Sequence, residues 1–377
     1  MRPLTSLPFR TGAALLLAGV LAVTTACAGA APASAPGATA STGPSAVPQS
    51  APAAGQPRVL ASGLEVPWGI AFLPDGAALV TERISATISR VAADGTVTRL
   101  GTVEGVTPTG EGGLLGIALP PDHPTDRGVY VMYTTSDDNR VVRLTANPDG
   151  TIDGSRQQEI VTGIPKGGNH DGGRLQFGPD GFLYVATGEA GRGEPAQDRD
   201  DLGGKILRLT EDGQPAPGNP FGTAVYTLGH RNPQGLAWDP AGRLWSAEFG
   251  QNTWDEINLV MPGANYGWPE VEGREGRDGF VDPVAQQGTD DASWSGLAYA
   301  DGALYAGALQ GERLFRYPVN PDGSLGEPQA LFTGTYGRIR TVVAAPDGRS
   351  LWFTTSNRDG RGDPGPDDDR ILVLPLV

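Results

Sequence analysis

The chain has 377 residues, a formal charge of −15 at pH 7 and a pI near 4.6, with 56 glycines, 33 prolines and aromatics at 7%. That length suits one large all-β domain or two smaller domains. So acidic a balance excludes a nucleic-acid partner and a polybasic attachment to anionic lipid, both of which need a basic footprint.

Residues 1–27 read as a targeting segment. Arg2 and Arg10 give a basic start, and Ala13 to Val23 is an apolar run too short to span a bilayer. It ends in Thr24-Thr25-Ala26-Cys27, which resembles a bacterial lipobox with Cys27 as the lipidated residue. An ordinary secretory signal cut elsewhere is the alternative. Cys27 is the only cysteine, so no internal disulfide can hold the exported domain. Residues 28–57 are almost entirely Ala, Pro, Ser, Gly and Thr and read as a flexible tether.

From Arg58 the chain repeats itself. Gly69-Ile70-Ala71-Phe72 leads through Pro74-Asp75-Gly76 into Ala78-Leu79-Val80. The unit returns from Gly116, Arg174, Gly235, Gly296 and Thr341, at spacings of roughly 45 to 60 residues. Each copy is a short apolar strand, usually a Pro-Asp-Gly type of turn, and a strand of β-branched or aromatic residues. Two more strands usually follow, as in Ala86 to Val91 and Val97 to Leu100. The pattern predicts an all-β fold over 58–377, a six-bladed β-propeller of four-stranded antiparallel blades. An isolated strand at Arg58 to Ser62 and a terminal one at Ile371 to Leu376 should pair within the last blade and close the ring.

The third copy carries a candidate catalytic pair. His170 precedes Leu175–Phe177, Pro179-Asp180-Gly181 turns the chain, and Glu189 follows the returning strand. A hairpin brings its two ends together, so His170 and Glu189 should meet at its mouth, a base beside a carboxylate that orients it. A lone loop histidine is also commonly structural. His123, in a Pro-Asp-His-Pro turn, reads as a solvated loop residue. The run Gly229-His230-Arg231-Asn232-Pro233 enters the fourth blade from the same end, which turns Arg231 and Asn232 toward one central funnel. The loops at Glu248–Asn258 and Asn265–Pro269 are rich in oxygen donors and suit a hard cation such as Ca²⁺, or are plain surface loops. Arg338 and Arg340, one residue apart, project to the same side and could grip an anionic ligand, or form a solvated pair.

These stretches together resemble a known family, the soluble PQQ-dependent glucose and aldose sugar dehydrogenases, also called glucose/sorbosone dehydrogenases. The resemblance rests on GEGGLLGIAL (110–119), NHDGGRLQFGPDGFLYVATGE (169–189), LGGKILRL (202–209), GHRNPQGLAWDP (229–240), DEINLVMPGANYGWP (255–269) and GRIRTVVAAPDG (337–348). It implies a six-bladed propeller that oxidises an aldose at the anomeric carbon to a lactone, with hydride passing to PQQ. By the same resemblance His170 would be the general base, with Glu189 as its partner and Arg231 stabilising charge on the quinone. Glu111, Asn232, Gln310, Arg338 and Arg340 would contact PQQ, the carbonyls of Gly250 and Gln251 would bind Ca²⁺, and Trp294 would form an aromatic wall beside the sugar, or else be a core aromatic. Glu189 stands where the glucose enzymes carry Asp, Gln310 where they carry Lys, Glu111 where they carry Gln, and Gln251 where they carry Pro. The insertions of the dimeric glucose enzymes are not evident, which points to a compact, monomeric aldose enzyme handing electrons to an external acceptor. The alternatives are a Ca²⁺-dependent propeller hydrolase of the lactonase kind and a non-catalytic sugar- or protein-binding propeller.

Overall fold

The computed structural model describes residues 55–376, and the expected targeting segment, including Cys27, lies outside them. Among the described residues there are 24 strands and one short helix, arranged as six four-stranded sheets. The innermost strands are β2 (Pro67–Phe72), β6 (Leu114–Ala118), β10 (Leu175–Phe177), β14 (Pro233–Trp238), β18 (Trp294–Ala300) and β22 (Ile339–Ala344). These are the first strands of the six copies expected from sequence. Each pairs antiparallel with the strand after its turn, as Leu175 pairs with Val185 and Phe177 with Leu183. Gly76 and Gly181 supply the positive φ (83° and 80°) that ends two of these turns.

Five blades take their strands in chain order. The sixth is assembled from both ends of the described chain. Its order is β22, β23 (Ser350–Thr355), β24 (Ile371–Pro375), then β1 (Arg58–Ala61). Arg58 faces Val373 and Ala61 faces Ile371. The expected closure of the ring is therefore present. No helix among the described residues is long and apolar enough to cross a membrane.

The core lies between the blades, where side chains of facing sheets interdigitate. One cluster joins Ile117, Val129 and Val131 of one blade to Leu79 and Ile88 of its neighbour. The innermost strands crowd round a central channel, and this explains the recurrent glycine of the repeat. A Cβ at Gly116 would lie 2.1 Å from the Gly173 carbonyl oxygen, and one at Gly296 would lie 2.5 Å from the Val342 nitrogen. At the third copy the same position holds Arg174, whose side chain is buried. Its Nε donates to the Gln234 carbonyl (2.7 Å), its Nη2 to Thr341 Oγ1 (3.1 Å), and its guanidinium lies over Trp68 at 4.6 Å. Burial, and then the neighbouring Arg340, lower its pKa to about 9.

The inner strands also break register near their first residues, at Pro67/Gly69, Leu114/Ile117, Pro233/Gly235, Trp294/Leu297 and Ile339/Val342. Such bulges twist a strand locally and re-aim its side chains. Here they sit at one mouth of the channel. The other mouth is ringed by the far ends of the same strands, with Phe72, Phe177, Trp238 and Tyr299, and its lining carries none of the expected catalytic residues.

Candidate active site

The hairpin of β10 and β11 (Leu183–Thr187) brings its two ends together. His170 Nδ1 lies 2.5 Å from Glu189 Oε1. Glu189 is buried, and the His170 side chain is 12% exposed. A proton on Nδ1, shared with the carboxylate, leaves the Nε2 lone pair for a substrate proton. Asn169 Nδ2 is 3.2 Å from that Nε2. His170 has a φ of 60°, a strained value for a non-glycine residue. Its amide donates to Glu111 Oε2 (3.0 Å) and its carbonyl accepts from the Ala190 amide (3.0 Å). Those two bonds bracket the strained backbone and fix the ring.

Arg231 arrives from the next blade. Its carbonyl accepts the Glu189 amide at 2.9 Å, which couples the two functional loops directly. Its Nη1 donates to the carbonyls of Phe249 (3.2 Å) and Gly250 (2.5 Å), and the guanidinium lies 5.2 Å from the Trp268 ring centre. Burial lowers its pKa, against the opposing pull of Glu189. Asn232 Oδ1 accepts the Gly172 amide (3.0 Å), a second tie between the two loops.

Beneath Arg231 runs a buried polar network. Glu248 Oε2 accepts the Arg231 amide (2.9 Å), and Oε1 accepts from Asn258 Nδ2 and meets His230 Nδ1, both at 2.9 Å. His230 Nε2 meets Thr227 Oγ1 (2.8 Å), and its ring stacks on Tyr266. Burial and the charge of Glu248 raise the pKa of neighbouring Glu256. His230 is thus part of the support for Arg231, with no exposure of its own.

The loop after β15 (Leu244–Glu248) is drawn around one carboxylate. Glu272 Oε1 accepts the amides of Gln251, Asn252, Thr253 and Trp254 at 2.7 to 3.2 Å. Asp255 Oδ1 takes the Gly250 amide (2.8 Å), and burial pushes its carboxyl up to about 7. With its N–H groups turned to carboxylates, the loop presents the Phe249 and Gly250 carbonyls to Arg231.

The opposite wall is cationic. Arg338 and Arg340 are both buried, so the solvated-pair alternative does not hold. They share Asp359, whose Oδ2 lies 3.0 Å from Arg338 Nη2 and 3.6 Å from Arg340 Nη2. Burial lowers the Arg340 pKa to about 10, with Asp359 opposing. Burial works to raise the Asp359 pKa, but Arg340 and Arg338 outweigh it and hold that carboxyl below its usual range.

Of the residues expected from sequence, Glu111, His170, Arg231, Asn232, Gly250, Gln310, Arg338 and Arg340 line one cavity. Glu189 and Gln251 line an adjoining opening that shares His170 and Arg231. Trp294 requires a correction. Its side chain is fully buried, edge-on to Phe315 and Tyr317, and belongs to the core rather than to a substrate wall. Strand β18 starts at Trp294, and its bulge turns that ring into the packing between blades. Sequence reasoning also missed Asp359, Arg361 and Glu272, and it had Glu248 only within an oxygen-rich loop and Arg174 only as the start of a repeat. Asp359 and Arg361 sit in Asn357-Arg358-Asp359-Gly360-Arg361-Gly362, which reads only as a polar turn.

Residues 64–363 match the family described as glucose/sorbosone dehydrogenase. The chain belongs to that family. It is 34% identical over 336 residues to the aldose sugar dehydrogenase YliI of Escherichia coli, covering 80% of this chain and 90% of that protein. The structure of the PQQ-bound form of an aldose sugar dehydrogenase from Streptomyces coelicolor superposes with a TM-score of 0.83 at 54% identity, over 86% of this chain and 99% of that one. A putative oxidoreductase (glucose dehydrogenase) from Thermus thermophilus gives 0.78 at 44% identity, over 85% and 99%. As a glucose/sorbosone dehydrogenase the chain has the expected six-bladed fold, and sugar oxidation is its class of reaction.

Proposed function

We propose that this protein oxidises aldose sugars at the anomeric carbon to lactones, using bound PQQ with Ca²⁺, and that His170 is the general base. The observation that carries this reading is the placement of the His170–Glu189 pair beside a cavity lined by four arginines, Arg231, Arg338, Arg340 and Arg361. PQQ carries several carboxylates, and such a wall suits them, because guanidinium groups grip carboxylates bidentately. Glu111 is the one carboxylate among the lining residues, whereas a metal-dependent lactonase needs a cluster of them at its ion.

When bound, PQQ supplies the quinone that takes the sugar's hydride. His170 Nε2 takes the proton of the anomeric hydroxyl. Glu189 holds the ring in the tautomer that makes Nε2 the acceptor, where the sugar hydroxyl would replace the Asn169 amide, and balances the imidazolium that forms. Arg231, held through its amide by Glu248 and through its guanidinium by the Phe249 carbonyl, stabilises the negative charge that develops beside it. Arg338 and Arg340 hold carboxylates, and Asn232, Glu111 and Gln310 complete the wall. The carbonyls of Gly250 and Gln251 are hard oxygen donors of the kind Ca²⁺ takes. Two are too few for that ion's about 6–8 ligands, so water and an anionic ligand would have to complete the set. The Gly250 carbonyl accepts from the Arg231 guanidinium here, and that bond would have to yield for the carbonyl to serve Ca²⁺.

The same reading places the domain outside the cytoplasm, tethered through lipidated Cys27 and working as a monomer. The chain has one cysteine and so cannot carry a CxxCH haem site, and its electrons leave to an external acceptor.

The test is a spectral titration of the purified protein with PQQ and Ca²⁺, followed by addition of aldoses. Saturable binding and sugar-dependent bleaching of the oxidised cofactor are expected. A folded protein that binds no PQQ would overturn the reading.

A further inference from the structure

We propose that Arg361 is a fourth arm of the anion grip, an arginine parked on Glu111 that turns to a carboxylate of the incoming cofactor. The inference rests on the PQQ reading above and adds to it a residue from outside the motif stretches.

Arg361 lies on the loop between β23 and β24, and its side chain is 59% exposed. Its backbone is fixed. The Arg361 amide donates to Asp359 Oδ1 (2.9 Å), while Oδ2 of the same carboxylate holds Arg338. The loop is seated directly on Arg338, because a Cβ at Gly362 would come within 2.8 Å of Arg338 Cδ. One carboxylate thus sets the spacing of three arginines. The side chain itself has a single partner, Glu111 Oε1, at 2.9 Å. An ion pair with one so exposed member is weakly held and readily exchanged.

Glu111 does not depend on that partner. Its Oε2 accepts the His170 amide (3.0 Å), which keeps the carboxylate in place when Arg361 swings away. Burial works to raise the Glu111 pKa, and the His170 amide together with Arg361 outweighs it while the pair is closed. Arg338 and Arg340 already share Asp359, and Gln310 on the same cavity is neutral. An entering polyanion therefore finds in Arg361 the cation whose release costs least. Glu111 is its competitor.

The test measures PQQ affinity, in the presence of Ca²⁺, by absorbance and by intrinsic-fluorescence quenching. The variants are Arg361→Gln, Glu111→Gln, these two combined, and Arg361→Gln combined with Gln310→Lys, with melting temperature as the folding control. Loss of one charged contact predicts about tenfold weaker binding for Arg361→Gln at an unchanged melting temperature. Glu111→Gln, which removes the competitor of the cofactor for Arg361 while keeping an acceptor for the His170 amide, is expected to bind PQQ more tightly than the wild type. A lysine at Gln310, from a different blade, restores much of the affinity lost with Arg361→Gln. If Arg361→Gln binds within twofold of the wild type, the inference is wrong. If Glu111→Gln weakens binding as much as Arg361→Gln and the two losses do not add, Arg361 acts only by steadying Glu111, which also overturns it. If the folded wild type binds no PQQ, the cofactor reading fails and takes this inference with it, an outcome distinct from the other two.

Discussion

Glu189 touches His170 with one oxygen and keeps the other, Oε2, buried without a hydrogen-bond partner. A buried, half-satisfied carboxylate is costly, and the geometry concentrates its charge on one imidazole. Glu189→Gln keeps the shape but not the charge, and it puts an amide group where no acceptor waits. Turnover is expected to fall by about 10²–10⁴, the usual worth of positioned general-base catalysis. His170→Ala should abolish turnover and leave PQQ binding within a few fold. Steady-state kinetics beside a binding titration decide the matter. A His170→Ala protein that keeps a tenth of wild-type turnover, or loses binding first, would remove His170 as the base.

Glu248 is the corresponding support for Arg231. It receives three groups, the Arg231 amide, Asn258 and His230, all in the interior. Glu248→Gln turns one acceptor into a donor, so either the Arg231 amide or the His230–Asn258 side is left unpaired. The expected cost is about 1–3 kcal/mol of stability, and turnover should drop as Arg231 loses its fixed position. Glu248→Ala should cost more, about 3–5 kcal/mol, because His230 and the Arg231 amide are then both stranded. Denaturant unfolding and kcat/KM measured together test this. Unchanged values in both for Glu248→Gln would show that the network does not position Arg231.

The fold was legible because each blade repeats one hairpin with its own turn chemistry, and because the recurrent glycine marks the crowding of strands at the channel. His170 and Glu189 were legible for a local reason. A two-strand hairpin with a short turn leaves no freedom over where its ends meet. Arg338 and Arg340 followed from strand alternation in the same way. Trp294 was not legible, since the side to which a strand's first residue turns depends on its bulge and on Phe315 and Tyr317 from β20 (Arg313–Pro318). Arg361 was out of reach for another reason. Its partner Glu111 is 250 residues away, joined only through the closed ring. Arg174 stands in the glycine position of its repeat, a departure visible in sequence, but that it fills the channel follows only from the six strands together.

Asp171, next to His170, should make stability depend on pH. It is buried, with Oδ1 bound to Asn139 Nδ2 (2.9 Å) and the Gly167 amide (3.0 Å) and Oδ2 unpartnered. Burial raises its pKa to about 6, against those two bonds. The folded value lies above the ordinary one, so the native state binds the proton more tightly than the unfolded chain. Its contribution is fully present below about pH 4 and is lost as pH rises through about 6. Asp171→Asn removes this term. Between pH 4 and 7 the wild type should lose, relative to the variant, on the order of 2 kcal/mol. Parallel unfolding curves across that range, offset by a constant, would contradict the assignment.

Closure of the ring through β1 sets the last expectation. β1 carries only four residues, yet Leu60 and Ala61 are buried in a cluster with Ile70, Val80, Trp352 and Ile371, on both sides of the seam. Without β1, β24 becomes an exposed edge and that cluster opens. Burial of Leu60 alone is worth about 1.5–3 kcal/mol, before the lost ladder bonds. A chain starting at Gly63 should therefore melt several degrees below one starting at Gly55, whereas removing residues 1–54 should leave the melting temperature near that of the full chain. Ending the chain at Arg370, which removes β24, should be more damaging still, because β24 pairs on both sides. Equal melting temperatures for the chains starting at Gly55 and Gly63 would mean that the ring is held by packing between blades alone.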